Sequence, residues 1–202
     1  MGILNLLKAN YTGKVGQTVG AKWKDKSTIR TYTKPSNPDT AAQKQTRKGF
    51  GEMSTFLSLF TEQIKGYSSL NTKGMSIRNA IMKANKDMIA AGTLTPINIL
   101  INKGGLPTPS DVGGTYSAVS NNVVITFDLP ASPVFSDKTI VVAVVTDKDL
   151  EFAAVATADA SLETITVPFA MASATDGFAY LYFIDYRGST RVGSKSVAKI
   201  IL

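Results

Sequence analysis

Short apolar segments, separated by turn residues at regular intervals, fill the second half of this 202-residue chain. Apolar and polar side chains alternate around Val123, Ile125 and Phe127, and a period of two is typical of half-buried β-strands. Residues 140–145 are continuously apolar, as in a central strand. The pattern predicts seven short strands in an antiparallel β-sandwich of immunoglobulin or fibronectin type. The predicted strands are 115–120, 122–129, 138–147, 151–158, 163–169, 177–186 and 195–202.

Two strand-like segments on either side of residues 25–27 predict a β-hairpin in the first half. A three-residue loop would place Trp23 opposite Ile29 and Lys22 opposite Arg30. One face would then be apolar and the other basic. Like charges directly opposite each other are mildly destabilising, so the basic face is explained more easily if it meets an anionic surface. A solvated basic face fits the same residues.

Two amphipathic helices are predicted after the hairpin. Asn37 is a good N-cap with Pro38 at the first helical position. An apolar seam follows at steps of three and four residues, and such a seam is usually core packing rather than a subunit contact. The seam consists of Phe50, Met53, Leu57, Phe60 and Ile64. A second helix is predicted over residues 76–91, ending at Gly92.

The charge of the chain is divided unevenly between its two halves. Residues 1–104 contain 16 Lys and Arg against 5 Asp and Glu, whereas residues 105–202 contain 6 against 10. A Gly- and Pro-containing stretch at 102–110 separates the halves, and such residues break regular elements. The sequence therefore predicts an α+β protein with a basic hairpin-and-helix module at 1–104 and a β-sandwich at 105–202.

The composition excludes several kinds of chemistry. The chain has no Cys and no His, so it has no Ser-His-Asp or Cys-His machinery, no thiolate or imidazole metal ligands and no disulfides. The Gly-rich segment 13–20 lacks the spacing of a phosphate-binding loop. Asp147, Asp149 and Glu151 lack the Gly and distal Glu of a calcium-binding EF-hand loop. We therefore expect no enzyme activity, no catalytic residues, no cofactor and no metal.

Two binding functions stay open as alternatives. Residues 8–48 contain 10 Lys and Arg against 2 acidic residues, with Tyr11, Trp23 and Tyr32 interleaved, a composition that suits nonspecific DNA binding. No established nucleic-acid-binding motif accompanies it. A carbohydrate-binding adhesin module would instead need exposed aromatic rings on one strand face, such as Tyr180 and Tyr186.

Several motifs carry a resemblance to a known family. They are GKVGQTVGAKWK at 13–24, SNPDTAAQ at 36–43 and RKGF at 47–50, and the segment FIDYRGS at 183–189 adds to them. Together they resemble an uncharacterised family of Bacteroidota genomes and their phages, with a GKVG…KWK hairpin and an NP.T.AQ helix start. Ala41 stands where that family has Pro. The resemblance implies no activity, but it implies a phage or mobile-element setting.

These observations predict a non-enzymatic structural protein of a bacteriophage virion, a head-decoration, neck or tail component made in the cytoplasm of the bacterial host. It would assemble with itself and with other virion proteins through the basic N-terminal module, with nonspecific DNA contact and no membrane contact. Trp23, Phe50, Leu57 and Phe60 would be buried between subunits, together with strand pairing. The predicted interface residues are Lys22, Trp23, Lys24, Arg30, Tyr32, Arg47 and Lys48.

Overall fold

A computed structural model describes residues 12–23, 26–34, 36, 39–70, 74–131, 135, 138–170, 177–187 and 190–201. The chain forms two compact units, Met1–Asp39 and Thr40–Leu202. The division lies near residue 40 and not at residue 104, because the helices of the predicted first domain belong to the same unit as the later strands. The elements are helices and antiparallel sheets, as the predicted α+β class requires.

The first unit contains a three-stranded antiparallel sheet in the order β1-β2-β3. Its strands are β1 Gly13–Val15, β2 Thr18–Trp23 and β3 Lys26–Thr31. The predicted register is wrong, since Trp23 pairs with Lys26 and Gly20 pairs with Ile29. Only two residues connect β2 to β3, where a three-residue loop was predicted, and the register differs by an odd number of residues. An odd shift moves side chains to the opposite face of a strand.

Four α-helices follow in the second unit, α1 Ala41–Ser58, α2 Thr61–Ile64, α3 Ile77–Ala84 and α4 Lys86–Ala91. The predicted N-cap Asn37 is wrong by three residues, and Asn37 and Pro38 lie outside the described residues. Thr40 is the N-cap of α1. Its Oγ1 accepts a hydrogen bond from the Gln43 amide N at 3.3 Å, and the Gln43 side chain accepts from the Thr40 amide N at 3.4 Å, which completes a capping box.

The predicted second helix is confirmed at both ends but is interrupted in the middle. Ser76 caps α3, and Gly92 ends α4 in the left-handed conformation with φ of 68°. Asn85 separates α3 from α4, and its buried side-chain amide bonds the backbone of the next loop. Its Nδ2 donates to the Leu100 carbonyl at 2.8 Å, and its Oδ1 accepts from the Leu100 amide N at 2.9 Å. The break is therefore fixed by a tertiary contact that helical periodicity does not encode.

Eight further strands form two antiparallel sheets, one in the order β10-β9-β6-β7 with β11 also paired to β9, the other in the order β4-β5-β8. Their bounds are β4 Ser110–Ser117, β5 Asn122–Asp128, β6 Thr139–Asp147, β7 Ala153–Asp159, β8 Thr164–Pro168, β9 Gly177–Arg187, β10 Thr190–Gly193 and β11 Val197–Ile201. All seven predicted strands have a counterpart. The first of them begins five residues earlier than predicted, and β10 was not predicted.

Two hydrophobic clusters lie on opposite faces of the larger sheet. One combines alternate residues of β6 and β9 with inward-facing residues of β5 and β8, including Val141 and Phe127. The other combines the remaining residues of β6 and β9 with the helices, including Val142 and Tyr180. Because α1 to α4 bury their apolar faces on this sheet, they share a core with the strands.

The predicted apolar seam of α1 and α2 lies in this core, with one exception. Met53, Leu57, Phe60 and Ile64 are buried, as core packing predicts, whereas 41% of Phe50 is exposed. Phe56, which the seam omitted, is also buried and packs edge to face on Phe60 with 4.9 Å between ring centroids. The prediction that Leu57 and Phe60 are buried between subunits is therefore wrong, because both side chains are already enclosed within their own chain.

Two buried tyrosines on one face of β9 differ in a single contact. The Tyr180 hydroxyl donates to the Pro96 carbonyl at 2.8 Å, whereas the Tyr182 hydroxyl has no partner among the described residues. Burial raises the pKa of both phenols, so both remain neutral in the folded state.

We expect Tyr180→Phe to lower the free energy of unfolding by about 1 kcal/mol, because it removes a satisfied hydrogen bond. Tyr182→Phe should leave this free energy unchanged or raise it by up to about 1 kcal/mol, since it removes a buried hydroxyl that is desolvated without compensation. Urea unfolding of the two variants measures the difference, and equal losses would contradict the assignment of these contacts.

Candidate interaction surface

One face of the N-terminal sheet is basic. Val19 lies directly opposite Lys14 on one side and Arg30 on the other, and residues paired in this way share a face. Lys26 lies four positions before Arg30 on β3 and therefore shares that face. Beyond the end of β3, the Tyr32 ring lies under the Lys14 ammonium, with 3.8 Å from Nζ to the ring centroid. We call Lys14, Lys26, Arg30 and Tyr32 the basic face.

The described residues of the sheet that carries the basic face bury very little apolar surface. Among its described residues, Gly20 alone is buried, and Val19 and Ile29 are half-buried. Val15 is 60% exposed, although it is apolar. A small sheet needs a covered hydrophobic face for stability. Within the described part of the chain, β3 pairs with β2 only, so its outer edge also offers unpaired backbone groups.

The structure brings together only part of the predicted interface on this sheet. Arg30 and Tyr32 are exposed members of the basic face. Lys22 is also exposed, but it pairs with Ser27 and so lies on the opposite face from Arg30. Lys24 and the side chain of Trp23 lie outside the described residues. Lys14 and Lys26 were not among the predicted interface residues, although alternation along each strand identifies them once the connection is taken as two residues long.

The two remaining predicted interface residues belong to the other compact unit. Arg47 and Lys48 are exposed on α1. The Lys48 ammonium lies 3.7 Å from a Glu52 carboxylate oxygen one turn later, an exposed helical ion pair of small energetic value. These two residues are accessible on their own unit.

One acidic residue of the second unit, Asp147, has a local structural role. Asp147 accepts backbone hydrogen bonds from Glu151 and Phe152, at 2.9 and 2.7 Å, and so shapes the turn between β6 and β7. The pKa of Asp128 is raised, mainly by desolvation and to a smaller extent by the negative charge of the neighbouring Asp111 carboxylate. In the ranges that the structure describes, no three Asp or Glu residues form a group that could hold a metal ion.

Tyr180 and Tyr186 do not provide a platform for sugar stacking. Tyr180 is fully buried, and the half-buried Tyr186 donates its hydroxyl to the Gly66 carbonyl at 3.2 Å. The exposed aromatic face that a carbohydrate-binding module would need is therefore not formed by these two rings.

Comparison with known proteins places the chain in an uncharacterised group. No curated protein matches it. Among the described helices, none is both long and apolar enough to cross a membrane. A family model described as a family of unknown function, DUF6266, matches residues 10–197. The resemblance drawn from the sequence motifs is therefore confirmed at the level of an uncharacterised family, and the chain belongs to DUF6266.

Proposed function

We propose that this chain is a non-enzymatic structural protein of a bacteriophage virion, which assembles through its basic N-terminal sheet. The observation that carries the proposal is the exposure of that sheet: Tyr32 and three cations are open to solvent on the basic face, and Val15 is open to solvent on the opposite face. A sheet whose described residues bury so little apolar surface gains stability from a partner that covers it. The phage setting comes from the resemblance of the sequence motifs.

The partner is a surface that carries negative charge. Lys14, Lys26 and Arg30 lie on one face, so a docked neighbour must offer carboxylates or phosphates to them. The exposed edge of β3 can also pair with a strand of the neighbour. The acidic second half of the chain makes another copy a suitable neighbour, since residues 105–202 contain 10 acidic against 6 basic residues.

The second unit would serve as the rigid body of such an assembly. If β4, β5 and β8 are lettered A, B and E, and β10, β9, β6 and β7 are lettered G, F, C and C′, the two sheets have the strand orders A-B-E and G-F-C-C′. These orders support an immunoglobulin-like sandwich. The larger sheet also carries α1 to α4 on its outer face, an addition to the ordinary sandwich. A body with apolar clusters on both faces of one sheet resists deformation when neighbours dock on it.

The test is the oligomeric state of the full chain with the basic face reversed in charge. The wild type should form oligomers in sedimentation velocity, and the triple variant Lys14→Glu, Lys26→Glu and Arg30→Glu should associate at least about tenfold more weakly. The control triple variant Lys65→Glu, Lys103→Glu and Lys199→Glu makes the same change in net charge at exposed positions of the second unit. A wild type that stays monomeric up to about 1 mM would overturn the proposal.

A separate measurement addresses the virion. Antibody labelling of purified phage particles, viewed by electron microscopy, should place the protein at a fixed station on every particle. Particles that carry no label, together with protein found only in the host lysate, would contradict the virion location. The conclusion about assembly would be unaffected.

Nonspecific DNA binding is the second candidate function, and the basic face favours it. The three cations of the basic face offer phosphate contacts, and Tyr32, with Lys14 over its ring, offers an aromatic ring for stacking. In that case the logarithm of the affinity for duplex DNA should fall linearly with the logarithm of salt concentration, and reversal of the three charges should flatten the slope. A flat salt response of the wild type would dismiss DNA binding.

A further inference from the structure

The turn between β6 and β7 presents an aromatic ring and two carboxylates to solvent. Phe152 is 63% exposed, and Asp149 and Glu151 are also exposed. The Asp147 carboxylate fixes the turn by accepting from the amides of Glu151 and Phe152, so the three side chains project from an ordered backbone. We call Asp149, Glu151 and Phe152 the acidic knob.

A shallow groove on the helical side has the opposite character. It has a volume of about 400 Å³ and lies where α1 meets α3 and the start of α4. Its apolar part includes Phe50, 41% exposed, and the half-buried Met82, while Lys83 and Lys86 are exposed beside them. Asn79 completes the lining. We call these five residues the basic groove.

We propose that the acidic knob of one copy docks into the basic groove of a second copy. The contact would place Phe152 against Phe50 and Met82, and the carboxylates of the knob beside the two lysines. Apolar surface is covered on both partners at once, and the sign of the charge reverses across the contact. The inference rests on the proposed self-assembly and adds to it a contact between the folded bodies.

A second copy satisfies both features with one contact. A phosphate-bearing partner would suit the lysines but would leave Phe152 and Phe50 exposed. Since knob and groove lie on the same unit, each copy offers one of each. The contact therefore either closes as a two-fold dimer with both pairs engaged, or repeats head to tail.

The contact is weak when it acts alone. One turn in a shallow groove buries less than the roughly 1,200 Å² of a stable interface. Its strength comes from repetition, because copies already held together present knob and groove to each other at a high effective concentration.

Complementary charge reversal tests the inference on the full chain. One variant carries Lys83→Glu and Lys86→Glu, and the other carries Asp149→Lys and Glu151→Lys. Each alone should associate at least about tenfold more weakly than the wild type in sedimentation velocity at low salt. An equimolar mixture should recover association, because the unchanged knob of the first variant fits the unchanged groove of the second. Its reversed groove also attracts the reversed knob of the other.

A third variant separates packing from charge. Phe152→Ser removes the ring at an exposed position, where a substitution is tolerated by the fold, and should also weaken association. The double variant Lys65→Glu and Lys103→Glu is the control, with the charge change of the groove variant made elsewhere.

The outcomes distinguish this inference from the proposed function. One outcome is that the variant with the basic face reversed in charge loses association while the groove and knob variants associate as the wild type does. In that case the knob–groove contact is overturned and the proposed function stands. If only the groove and knob variants lose association, the role of the basic face is overturned and the contact stands. Reversed variants that stay apart when mixed overturn the contact, and a monomeric wild type overturns both.

Discussion

Gly104→Ala should lower the free energy of unfolding by at least about 3 kcal/mol, or prevent folding, because the added methyl group has no space. A Cβ at this position would overlap the carbonyl oxygen of Gly193. That oxygen accepts a hydrogen bond from the Leu106 amide N at 3.0 Å, and Leu106 forms a parallel bridge with Ser194. The obstacle is backbone on both sides, so the clash cannot be relieved by a side-chain rotation.

The neighbouring glycine provides the matched control. A Cβ on Gly105 would have no heavy atom within 4 Å, so Gly105→Ala should leave stability within about 0.5 kcal/mol of the wild type. Chemical denaturation of both variants measures the contrast. Equal stability of the two variants would show that the backbone segments near Gly104 and Gly193 do not approach as closely as the structure has them.

The same glycine explains why a domain boundary was predicted at residue 104. Glycines and prolines between patterned segments usually indicate a linker. Here the segment is anchored: Asn102 is buried, accepts from the Ser69 amide N at 3.0 Å and donates to the Ser194 carbonyl at 2.8 Å. A glycine that permits close backbone approach and a glycine in a flexible linker look alike in a single sequence.

Elements that depend on local pattern were predicted well. The alternation around Val123 and the apolar run 140–145 identify β5 and β6 because side-chain period and burial are properties of the strand itself. The short β10 was missed, since four residues that include Gly193 carry too little alternation to be recognised. The interruption at Asn85 was missed because its cause lies 15 residues away, at Leu100.

The candidate site could be predicted only in part, because it depends on register. The sequence predicts the N-terminal hairpin. The number of residues in its connection sets the register, and the register decides which cations share a face. With three residues, Lys22 joins Arg30, and with two residues Lys26 takes that place. Lys14 joins the same face through β1, a strand that was not separated from β2 in the sequence.

Phe60→Ala should be among the most destabilising single substitutions in the chain, with a loss of about 3–5 kcal/mol in the free energy of unfolding. The ring is completely buried, packs edge to face on Phe56, and lies in the cluster between the helices and the larger sheet. Its removal leaves a cavity that the helices, held on a five-stranded sheet, can close only partly.

Phe50→Ala is the matched comparison for Phe60→Ala, because the sequence places both residues in one apolar seam. Phe50 is 41% exposed, so its loss should change the free energy of unfolding by less than about 1 kcal/mol. If the basic groove receives a second copy, the same substitution should instead weaken self-association while the monomer stays folded. Thermal unfolding and sedimentation velocity on both variants separate the two effects. Similar unfolding losses at positions 50 and 60 would contradict the division of this seam into a core part and a surface part.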